Sequence, residues 1–159
     1  MQNNSKKKVR LIVVDPKIRE AIKEFYSTES EILFLLKGYF DNGIAYVHDI
    51  FYVKQYSNSV SVFFHEPFEK YIGTLHTHPI NSEPSKQDFF TFNKLGGIHI
   101  LYDGDEFKGY DKDGNYIDVV FREVKKKKQK PMPFYKVLII FFYICIILFL
   151  IFGFIFLIR

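Results

Sequence analysis

The chain has 159 residues, room for one compact domain and a short appendage. Its formal charge of +4 divides unevenly: residues 1–124 hold 15 Lys+Arg against 18 Asp+Glu, while 125–159 hold 7 basic residues and no acidic one. A mildly acidic body gives no electrostatic footprint for nucleic acid, and the single cysteine, Cys145, excludes a disulfide framework or a Cys-based zinc site within one chain.

The opening Met1–Lys8 is polar and has no signal-peptide apolar core, and Lys6-Lys7-Lys8 reads as a solvated arm. Val9–Val14 then reads as an apolar strand. Pro16–Tyr26 reads as a helix, with Asp15 as N-cap, Pro16 at the first helical position, and Ile18, Ala21, Ile22 and Phe25 at helical spacing. Strands are expected at Glu31–Lys37, Ile44–Val53, Val60–His65 and Tyr71–His76, the first two joined by an Asp41-Asn42-Gly43 hairpin turn. A second helix, Ser85–Leu95, closes at Gly96-Gly97. Strands at Ile98–Tyr102, Glu106–Tyr110 and Tyr116–Val124 complete a body of the α/β (α+β) class built on one central sheet.

Beyond residue 124 the composition changes. Residues 125–136 form a basic linker, with Lys125, Lys126, Lys127, Lys128, Lys130 and Lys136 and the structure-breaking Pro131 and Pro133. Val137–Ile158 carries no charge, and as a helix would span roughly 33 Å, enough for a bilayer core. This predicts a C-terminal transmembrane anchor, and the basic flank predicts a body on the cytoplasmic side. The lysines suffice as a topology signal; contact with anionic lipid is compatible with that.

The chemistry concentrates in Gly73-Thr74-Leu75-His76-Thr77-His78-Pro79 and Pro84-Ser85-Lys86-Gln87-Asp88. Two histidines one residue apart lie on one side of an extended strand. Asp88, near the start of a helix, adds an oxygen, and two imidazoles with one carboxylate leave a tetrahedral zinc one open position. Each part also has a plain reading: ordinary strand histidines, and Ser85 as N-cap with Asp88 at N3 in a capping box. The two roles of Asp88 are compatible, since the cap would stiffen the turn that aims it. His48, His65 and His99 have no partner at ligand spacing and read as structural or surface groups, as do Tyr102 and Tyr110.

The pattern Glu…His-x-His-Pro…Ser-x-x-Asp resembles the JAMM motif of MPN-domain zinc metalloproteases, which cleave peptide bonds or remove ubiquitin-like modifiers. The resemblance implies an MPN-like central mixed sheet flanked by helices over residues 1–124, with Zn2+ held by His76, His78 and Asp88. It further implies a general-base glutamate acting on water and a serine, Ser85, that stabilises the tetrahedral intermediate. Glu31, followed by the apolar strand that ends in Lys37-Gly38, fits the glutamate better than Glu24, on the helix, or Glu29, further from the strand. Two features depart from the family pattern: nine residues rather than ten separate His78 from Asp88, and Phe34 stands where a glycine is common. The resemblance leaves several functions open. A peptidase or isopeptidase acting on protein or peptide, ubiquitin-like conjugates included, is one. A non-catalytic MPN-like scaffold that recruits a protein partner to the membrane is another, and a hydrolase of a small amide or sulfur-carrier conjugate a third.

Overall fold

The computed structural model describes residues 8–57, 62–64, 70–78, 83–126, 139 and 141–148. The chain divides into two compact units, 1–126 and 127–159. Among the described residues of the first, eleven elements follow in order: β1 (Leu11–Val14), α1 (Pro16–Phe25), β2 (Leu33–Asp41), β3 (Ile44–Tyr52), β4 (Gln55–Ser57), β5 (Val62–Phe64), β6 (Gly73–Thr77), α2 (Lys86–Leu95), β7 (Ile98–Tyr102), β8 (Phe107–Asp111) and β9 (Tyr116–Phe121). Both helices start where the sequence places them. The Asp15 carboxylate accepts from the Lys17 amide at 3.2 Å, satisfying one of the donors that a helix start leaves unpaired. The predicted hairpin turn forms as well, with Asn42 at φ 48° and Gly43 at φ 80°, the left-handed conformations a two-residue turn requires.

The sheet is mixed, but it is not open. Seven strands in the order β1-β3-β2-β6-β7-β8-β9 form a barrel, closed by parallel pairing of β1 with β9, Leu11 opposite Asp118 through Val14 opposite Phe121. Several strand ends shift by one to three residues from expectation, and two differences bear on the site. β2 begins at Leu33 and runs to Asp41, leaving Glu31 just ahead of it, and β4, which the sequence did not announce, pairs with β5 as a separate two-stranded ribbon.

Alternation along the strands sorts the side chains between two faces. Ile12, Val14, Phe34, Leu36, Leu75, Ile98 and Ile100 share the main core with Ile18 and Ile22 of α1. The opposite face carries Leu101 and Tyr110 under Phe92 of α2, with Leu33, Leu35 and Val53 in a neighbouring cluster. Fully burying one such aliphatic side chain contributes about 1.5–3 kcal/mol, so the two faces together fix how α1 and α2 sit on the strands. Close approach of β6 to β7 depends on Gly73, where a Cβ would lie 1.8 Å from the Ile98 carbonyl oxygen.

Of the predicted anchor, 137–158, only 139 and 141–148 are described; they are helical, with exposed side chains. Among the described residues no helix is long and apolar enough to cross a membrane. The rest of the predicted anchor, with Pro131, Pro133 and the lysines from 127 onward, lies outside them.

Candidate metal centre

Strand register assembles the site. In the antiparallel β2–β6 ladder Leu33 stands opposite His76, so both point to the face that α2 covers. His78 lies two residues on and points the same way. Continuing the register by two residues sets Glu31 opposite His78, and its carboxylate Oε1 is 3.9 Å from His78 Nε2. α2 brings Asp88 from above. Its start is fixed by a complete capping box: Ser85 Oγ accepts from the Asp88 amide at 3.2 Å, and the Asp88 carboxylate accepts from the Ser85 amide at 2.7 Å. Asp88 Oδ2 is thereby tied to the helix start, within reach of His78, while Oδ1 turns to His76.

His76 Nε2 and His78 Nε2 lie 3.1 Å apart. Asp88 Oδ1 is 3.2 Å from the first, and Oδ2 is 3.5 Å from the second. His76, His78 and Glu31 are buried and Asp88 is partly so. Burial pushes the pKa of His76 down, against the opposing pull of Asp88, which keeps the imidazole neutral and a ring nitrogen free to donate a lone pair. Burial alone would raise the pKa of Asp88, but hydrogen bonds from His76, His78 and Ser85 outweigh it and hold the group well below the usual carboxylate range. For Glu31 desolvation wins: its pKa is pushed up to about 6, with His78 lowering it and Asp88 adding to the rise.

These residues fit a zinc ion. One ligand atom from each of His76, His78 and Asp88 lies within 4.8 Å of the other two, and two imidazoles with one carboxylate are a borderline-soft donor set suited to Zn2+. Glu31 flanks the set without belonging to it. Ser85 lies at the helix start with its Oγ engaged by the Asp88 amide, and Glu29 is exposed, its backbone N–H bonded to Ser27 Oγ.

Sequence reading missed the layer beneath the ligands. His99, read as structural or surface, is fully buried: Thr74 Oγ1 lies 2.8 Å from its Nδ1, and its ring stacks on Phe92 with centroids 4.1 Å apart. Phe92 also meets His76, in a tilted arrangement with ring centroids 6.2 Å apart. Burial, with the nearby His76, lowers the pKa of His99 to about 3, so it stays neutral beneath the site. Only the parallel pairing of β6 with β7, which sets Thr74 beside His99, reveals this contact, and spacing along the chain carries no trace of it.

No family model and no curated protein matches the chain. Solved structures do. One, described as a metalloprotease-like JAMM zinc site in the proteasome and signalosome, is 25% identical with a TM-score of 0.46, over 71% of this chain and 99% of that one. A JAB1/MPN domain protein from Archaeoglobus fulgidus is 23% identical with a TM-score of 0.43, over 71% and 98%. A protein from Desulfitobacterium hafniense, solved in solution, is 15% identical with a TM-score of 0.50, over 76% and 99%. The last of these likenesses is one of fold, and this chain spans nearly the whole of each neighbour.

Proposed function

We propose that this chain is a JAMM-type, zinc-dependent peptidase or isopeptidase, carried on the cytoplasmic face of a membrane by residues 137–158, with ubiquitin-like conjugates among its substrates. The observation that supports this most is the convergence of His76, His78 and Asp88 with a buried glutamate, Glu31, 3.9 Å from His78. Zinc held by the three would supply Lewis acidity, lowering the pKa of water towards about 7 and polarising a substrate carbonyl.

The chain's own residues supply the proton chemistry. Glu31, with a pKa raised to about 6, suits a general base that takes a proton from water and returns it to the leaving amine. Ser85 accepts the Asp88 amide through a lone pair, which leaves its hydroxyl proton to donate to a developing oxyanion. The nearly complete burial of the two imidazoles keeps competing water from the ligands. The membrane assignment rests on the charge-free 137–158 run and the lysines before it.

Glu31→Gln tests the reading. The substitution preserves shape, so zinc content should equal that of the wild type while cleavage of a ubiquitin-like conjugate falls by about 10²–10⁴-fold. Full activity in Glu31→Gln would remove Glu31 from the mechanism.

A further inference from the structure

Glu31 stands outside regular structure, yet the two residues after it are held by side chains that substitute for missing strand. On the β6 side, the Thr77 amide donates to the Ile32 carbonyl at 2.9 Å, and the Ile32 amide returns its bond to the Thr77 hydroxyl oxygen, also at 2.9 Å. The usual backbone carbonyl is replaced by Oγ1 at the point where the chain leaves β6. On the β3 side the ladder ends at Phe34 opposite Tyr52. There the side-chain amide of Gln55 takes the place of the next strand residue. Its Oε1 accepts from the Leu33 amide at 2.8 Å, and its Nε2 donates to the Leu33 carbonyl at 3.1 Å.

We infer that Thr77 and Gln55 are positioning residues for Glu31: together they clamp Ile32 and Leu33 from both sides and so fix where the Glu31 carboxylate meets His78. Thr77 is fully buried and lies between the two histidine ligands, so the residue that ends the zinc strand also sets the base. Gln55 lies on β4, so the same short ribbon that pairs with β5 holds the entrance of β2. The inference rests on the hydrolase reading for the role of Glu31, but the clamp itself is a statement about backbone geometry.

The test uses the full chain, with amide hydrogen exchange read at Ile32 and Leu33 and with kcat and KM measured on a lysine-linked ubiquitin dimer. In the wild type both amides should be protected. Thr77→Val keeps the side-chain shape and removes the acceptor, so exchange at Ile32 should accelerate while zinc per chain stays at the wild-type value. The kcat should fall by about 10–100-fold, the range typical when support behind a site is removed, with KM within about twofold. Thr77→Ser should restore both exchange and kcat. Should Thr77→Val prove unstable, Gln55→Leu provides the same split through Leu33. An unchanged kcat in both variants, or Ile32 unprotected in the wild type, would overturn the clamp. A wild type that keeps Ile32 protected but shows no chelator-sensitive cleavage would instead overturn the hydrolase reading, and with it the catalytic use of the clamp.

Discussion

Acidification should destabilise the body of this protein through His99, by an amount that follows from where the ring sits. The imidazole is fully buried, flat against Phe92 and bonded to Thr74, and its pKa drops from 6.5 to about 3. In the unfolded chain it titrates near its ordinary value. Above pH 6.5 both states are neutral there and the group contributes no pH dependence. Between that value and about 3 the unfolded state alone binds the proton, so stability falls as pH falls, by about 1.4 kcal/mol per unit. At about pH 4.5 the loss attributable to His99 should reach about 2–3 kcal/mol, a large share of the margin of a small domain. The assay is urea unfolding at about pH 7.5 and about pH 4.5, with chelator throughout so that zinc release does not enter. His99→Asn, which keeps a polar atom towards Thr74 but cannot titrate, provides the reference. Other groups titrate in both proteins and cancel in the double difference. If the wild type and His99→Asn lose equal stability over that interval, the reasoning about His99 is wrong.

Gly73→Ala should destabilise the body by about 1–3 kcal/mol or more, because its Cβ meets the rigid Ile98 carbonyl rather than a side chain that can move. Gly96→Ala meets nothing within 4 Å, but φ 68° with ψ −175° is a conformation open essentially to glycine alone, so it too should cost about 1–3 kcal/mol, from backbone strain rather than a clash; thermal melts of the two variants check both values. Leu75→Ala, at a fully buried position in the main core, should cost about 2–5 kcal/mol in the same melts. Deleting residues 137–158 should move the chain from the membrane to the soluble fraction of a cell lysate, and unchanged sedimentation would remove the anchor from the proposal.

Much of the site was legible because its signals are local. The His76-Thr77-His78 alternation needs only the two-residue strand period, and Ser85 with Asp88 needs only the geometry of a helix start. Both operate within a few residues, and the hydrogen bonds of the capping box bear the second out. The Asp15-Pro16 start of α1 and the Asn42-Gly43 turn were readable for the same reason. Closure of the barrel was not, since β1 meets β9 across more than a hundred residues through parallel pairing that leaves no mark in either segment. The start of β2 was misplaced because Glu31 and Ile32 are as extended as a strand in composition, whereas side chains of Thr77 and Gln55 take over the ladder there. β4 was missed because three residues, Gln55–Ser57, are too few for an alternation to register.

The central claim is that His76, His78 and Asp88 hold one zinc ion, and elemental analysis of the purified full chain tests it most directly. The account expects about one zinc per chain in the wild type, resistant to dialysis, and a near-complete loss in Asp88→Ala and in His76→Ala. A wild type that binds far less than one equivalent when offered zinc, or variants that hold as much as the wild type, would contradict it.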